Sequence, residues 1–129
     1  MCNNNSSIKV LTLEIEEDGM TPHIREIDKE HVLRDMYKYI GCETVDVQVI
    51  EVDGEEYDVW FDDEFLLNDT PKVPTVMANG NLIMGNILIA RSNEMGETIS
   101  IPNNHDKIVG LMNWILESHL SAVNVFLHL

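Results

Sequence analysis

The side chains with the most chemical potential lie in residues 43–69, ETVDVQVIEVDGEEYDVWFDDEFLLND. This stretch holds eleven carboxylates (Glu43, Asp46, Glu51, Asp53, Glu55, Glu56, Asp58, Asp62, Asp63, Glu64 and Asp69) and no Lys or Arg. Carboxylates at this density can coordinate a hard cation or present negative charge to a basic partner. Asp62-Asp63-Glu64 lacks the alternating oxygen ligands and the glycine of a calcium loop, so a solvated charge run is the expectation there and no metal site is assigned. The five histidines (His23, His31, His105, His119 and His128) show no paired-ligand spacing and no Ser-His-Asp or Cys-His arrangement. NGNLIMGN has glycines but neither the spacing nor the lysine of a phosphate loop. No catalytic residue and no cofactor is therefore assigned, and the chain is expected not to be an enzyme.

Two binding readings remain. On an outer hairpin face, alternate carboxylates stand about 6.6 to 7 Å apart, two strand rises, which is close to the spacing of phosphates along a nucleic-acid strand. Asp46, Glu56, Asp58, Trp60, Asp62, Asp63 and Glu64 are the candidate partner-binding residues, with Trp60 as an aromatic anchor. The alternative is an anionic small ligand, such as a nucleotide signal, held on a basic helix ridge of His31, Arg34 and Lys38. Only eight Lys and Arg are available to it, and Glu30 and Asp35 neighbour that ridge.

Elements must position these residues. Asp53-Gly54 between VDVQVIEV and EYDVWFD signals a hairpin. A two-residue turn would pair Val49 with Asp58 and Val45 with Asp62, mixing polarity on both faces. A three-residue loop, Val52-Asp53-Gly54, would pair Val49 with Tyr57, Val47 with Val59 and Val45 with Phe61. The second register is expected because it collects the apolar side chains on one face and leaves Asp46, Gln48, Ile50, Glu56, Asp58, Trp60 and Asp62 on the other.

Upstream, residues 1–7 read as a polar disordered tail and IKVLTLEIEE as a strand ended by Asp18-Gly19. HIREI (23–27) is a short extended piece, followed by a helix over about 29–40 capped by Asp28 and closed by Gly41. Downstream, FLLNDTPKVPTVMANGN reads as a surface loop with one helical turn at its start. LIMGNILIAR reads as a buried strand with a bulge at Gly85, and ETISI as its short partner. A last helix begins near 105 with Asn103 or Asn104 as cap. The pattern predicts one α+β domain over 8–129, a mostly antiparallel sheet with two main helices on one face, and residues 102–129 as a C-terminal helical extension. The expected core contains Val10, Leu11 or Leu13, Val32, Met36, Ile40, Val45, Val47, Val49, Tyr57, Val59, Phe61, Leu88, Ile108, Leu111 and Ile115. SHLSAVNVFLHL adds Leu120, Val123, Phe126 and Leu127, more apolar surface than such a domain needs, and is expected to dock on a second subunit or a partner.

The formal charge of −15 repels nucleic acid and anionic membrane and favours basic partners. Cys2 and Cys42 make no disulfide framework, and MCNNNSS lacks the basic and apolar regions of a signal peptide. No uncharged apolar run reaches membrane-spanning length. A soluble, cytoplasmic protein is expected.

In sequence and order, KVLTLE, HIREIDKEHVLRDMYKYIG, VDVQVIEV, DVWFDDEFLLNDTP, GNILIA and GETISI resemble the small phage and plasmid proteins of domain-of-unknown-function family 3846, over about residues 8–101. The chain departs from them at Gly41-Cys42, where relatives tend to have paired glycines, and at Lys72-Val73-Pro74, where they tend to have Asn-Arg. The resemblance implies a compact α+β domain carried by mobile elements, with no established activity. Together with the acidic hairpin it leads to the expectation of a counter-defence protein. Such a protein would be a decoy occupying the basic nucleic-acid-binding site of a host protein such as a restriction or CRISPR nuclease; the alternatives are a sponge for an anionic nucleotide signal and a regulatory protein-interaction domain.

Overall fold

β1 (Ser7–Glu16) and β2 (Gly19–Asp28) form a ten-residue antiparallel hairpin in the computed structural model, which describes residues 7–64 and 73–129. Then follow α1 (Val32–Ile40), β3 (Val45–Val52), β4 (Glu55–Asp62), β5 (Pro74–Ala78), β6 (Asn81–Met84), β7 (Ile87–Ser92), β8 (Thr98–Ile99) and α2 (His105–Leu127). The main sheet has the order β2-β1-β7-β4-β3 with every neighbour antiparallel, and β8 pairs the end of β7. β5 and β6 form a separate hairpin. A single α+β domain with an antiparallel sheet and two main helices is what the sequence predicted.

The helices do not share a face. Ile87 and Ile89 of β7 pack with Leu11, Leu13, Tyr57, Val59 and Phe61 under Leu111 and Ile115 of α2 and Val76, Ala78 and Ile83 of the small hairpin. Leu88 and Ala90 point the other way and pack with Ile8, Val10 and Ile27 under Met36 and Ile40 of α1. Because β7 is apolar at four consecutive buried positions, a single covering layer would leave two of them in water; at roughly 25 cal/mol per Å² of apolar surface, that favours a second layer. The mixed polarity of β3 and β4 suggested one apolar face, and the central strands decide otherwise.

Three local expectations change. α1 begins at Val32 rather than 29, because the Asp28 carboxylate accepts from the Glu30 amide at 2.9 Å and from His31 Nδ1 at 2.9 Å, holding a turn where the first helical turn was expected. The helix has no side-chain cap at its N-terminus, while Gly41 closes it at φ 79° as read. The expected loop over 65–81 lies outside the described residues as far as 72; beyond it the chain forms β5, a left-handed Asn79-Gly80 turn and β6. Pro74 is tolerated as the first residue of that strand, where no ladder donor is required. Third, the expected long strand 82–91 breaks at Gly85-Asn86. Of the expected tail, Ser7 opens β1 and residues 1–6 lie outside the described residues.

Asn86 explains the placement of α1: its Oδ1 accepts from the Ile15 amide (2.8 Å) while its Nδ2 donates to the Tyr39 carbonyl (3.1 Å). On the other face, His119 Nδ1 donates to the Thr75 carbonyl at 2.8 Å and ties α2 to β5. Among the described residues, no helix is long and apolar enough to cross a membrane.

Candidate interaction surface

The acidic hairpin is built on a two-residue turn, not a three-residue loop. Asp53 (φ 52°) and Gly54 (φ 79°) are both left-handed, and Val52 pairs with Glu55. Two consecutive left-handed residues match the twist of paired strands, which is the reason Asp-Gly is favoured there. The register that follows sets Val45, Val47, Val49 and Glu51 against Asp62, Trp60, Asp58 and Glu56. The expected pairs Val49 with Tyr57, Val47 with Val59 and Val45 with Phe61 are absent. β4 keeps Tyr57, Val59 and Phe61 inward toward α2, but β3 is slipped by one residue, so Ile50 packs there instead and Val49 is 47% exposed.

This register divides the predicted site. Asp46 lies on the α2 side of β3, exposed, its carboxylate accepting from the Val47 amide. Glu56, Asp58, Trp60 and Asp62 lie on the α1 side. Asp58 and Asp62 are 7% and 8% exposed and cannot present charge to a partner. Asp58 accepts from the Ser92 hydroxyl, and Asp62 from the Glu64 amide at 2.8 Å. Burial, with the Asp62 charge as the smaller cause, pushes the Cys42 thiol up to about 11. Asp63 and Glu64 remain exposed, with Glu64 Oε1 accepting from Thr44 Oγ1 at 3.2 Å. An evenly spaced row of accessible carboxylates is therefore not formed.

What the structure brings together is different. Trp60, half-buried, lines an open depression with Val32, Leu33 and Met36 of α1, Lys29, and Gly96, Glu97 and Thr98 of the β7–β8 connection. Leu33 is 51% exposed at its edge, and the buried Trp60 Nε1 has no hydrogen-bond partner among the described residues. On the same side of the sheet, Glu51 and Glu56 stand directly opposite one another, both exposed, and neither joins an ion pair among the described residues. Glu51, Leu33, Lys29 and Glu97 were not among the predicted site residues. For Leu33, no local signal shows that a nine-residue helix leaves it uncovered.

The basic ridge is already occupied. His31 Nδ1 lies 2.9 Å from Asp28, and Arg34 lies 3.8 Å from Asp28 and 3.1 Å from Asp35. The His31 hydrogen bond, then that of the Glu30 amide, holds the Asp28 carboxyl below its ordinary range. Lys38 Nζ sits 5.3 Å over the Tyr39 ring. Among the described residues, no group of three or more His, Cys, Asp or Glu is placed to hold a metal ion.

A family model described as a domain of unknown function (DUF3846) matches residues 8–112, most of the chain. The chain belongs to the DUF3846 family. The DUF3846 match takes in every strand of the main sheet but for Ser7, with α1 and the start of α2, and ends at Met112, so the rest of α2 lies beyond it. Neither a curated protein nor a solved structure matches the chain.

Proposed function

We propose that this DUF3846 protein is a non-enzymatic binding protein, a counter-defence decoy of a mobile element, that occupies a basic nucleic-acid-binding surface of a host protein. It does so with the turn end of its acidic hairpin. The observation that carries this reading is the Glu51–Glu56 pair. Like charges directly opposite each other weaken a strand pair, nothing among the described residues neutralises them, and a cationic surface would relieve the repulsion. On the same side of the sheet, Trp60 and Leu33 offer a half-exposed apolar anchor with Glu97 on the rim, the combination of aromatic anchor and charged edge that binding surfaces use. The formal charge of −15 supports electrostatic steering toward such a partner. Asp58 and Asp62 have no part in this contact, and Arg34 is paired with two aspartates.

The test is capture of a host partner by the wild-type chain, by Glu51→Gln/Glu56→Gln and by Arg34→Ala/Lys38→Ala, with duplex DNA as competitor and an assay of phage protection alongside. The expected result is binding that weakens as salt rises, is displaced by DNA, and is about tenfold weaker in the glutamine variant, equivalent to about 1.4 kcal/mol. Loss of protection confined to the Arg34/Lys38 variant would overturn the decoy reading.

A further inference from the structure

α2 buries Leu111, Ile115, Ser118 and Ala122 against the domain. Its opposite side carries a second apolar line: Val109, Asn113, Leu116, Leu120, Val123 and Leu127, separated by 4, 3, 4, 3 and 4 residues. That alternation is the seam of two-stranded helix pairing, and one Asn among apolar seam positions is a device that specifies register and oligomer state. Val109, Leu116, Leu120 and Leu127 are 43%, 60%, 69% and 72% exposed. The line runs for about 27 Å at roughly 1.5 Å per residue.

We propose that this seam is a homodimer interface, with a second copy of the chain laid along it by a two-fold axis. Charge selects that occupant. At a net −15 two copies repel one another, and the face on which they can meet is one without charge; Glu117 is the sole Asp, Glu, Lys or Arg in residues 108–129. A basic partner would be drawn to the acidic hairpin instead. A membrane surface is disfavoured as occupant because interfacial helices are held by Lys and Arg on their polar face, and α2 has one such residue, Lys107, near its start. In an isologous pair the same stripe serves both chains, so each knob of one helix finds a hole made by the same residues of the other. The seam lies across the sheet from Trp60, so each copy keeps its acidic surface accessible.

Light scattering on size-exclusion fractions of the full chain, loaded from about 1 to 100 µM, tests this. Twice the 14.7 kDa chain mass is expected for the wild type, and the single-chain mass for Leu116→Glu/Leu120→Glu. Because both leucines are exposed, the variant should keep the wild-type circular dichroism; Leu116→Ser/Leu120→Ser supplies the same comparison if it does not. A wild-type chain that stays at 14.7 kDa at every concentration overturns the proposal. So does a folded variant that remains dimeric, or a monomer that binds neutral phosphatidylcholine vesicles through this helix.

Discussion

Asp58 and Asp62 show that a residue's chemistry is set by its neighbours as much as by its type. Both stand in a run of acids, yet the strand faces on which they lie are covered, and each carboxylate finds a local donor in place of water. Burial without a donor would cost several kcal/mol. Cys42 reports on the same region. With its thiol pushed up to about 11, about one molecule in a thousand is thiolate at pH 8, against about one in four for a free thiol with pKa near 8.5. Iodoacetamide labelling at pH 8, followed residue by residue by mass spectrometry, should therefore be roughly two-hundredfold slower at Cys42 in the folded chain than in urea. Equal rates would show that the thiol is neither buried nor facing Asp62.

Among the elements, the β3–β4 hairpin is the most informative. Its turn needs positive φ at two successive residues, so Gly54→Ala places a Cβ where L-residues pay roughly 1–2 kcal/mol. An unfolding free energy lowered by that amount in urea titration is expected, and no change would argue against the two-residue turn. The slipped register makes a second claim. Val49 is 47% exposed, so Val49→Lys should shift stability by no more than about 0.5 kcal/mol, whereas Phe61→Ala, on the covered face, should cost about 3–5 kcal/mol. Had Val49 faced the core beside Tyr57, the lysine would be the more damaging change.

For the molecule as a whole, the balance between core and charge matters most. Two packed layers enclose the sheet, and the chain carries a net −15. Self-repulsion of that size opposes the compact state and is screened over about 8 Å at physiological ionic strength. The thermal midpoint should rise as NaCl increases from about 10 to 150 mM. A midpoint that falls would mean that local ion pairs such as Arg25–Glu14, at 2.8 Å, outweigh the net repulsion.

Much of this architecture was legible in the residues. Gly41 as a left-handed helix end, Asn104 accepting from the Lys107 amide at the start of α2, a hairpin reversal at Asp53-Gly54 and the inward Tyr57, Val59 and Phe61 all follow from local stereochemistry and period-two patterning. Family membership was legible for the same reason, since short motifs that mark turns and strand cores survive as strings of residues. The register of β3, the division of the helices between two faces and the burial of Asp58 and Asp62 were not. Each depends on which surfaces are covered. β3 is the sheet's edge, and the cover from α2 and the small hairpin reaches Ile50 and Val52 but leaves Gln48 at the rim, where Asn79 Nδ2 donates to its side chain and to the Val49 carbonyl. A polar residue facing the core side is therefore tolerated, and the turn geometry of Asp53-Gly54, rather than the sorting of apolar side chains, chooses the pairing.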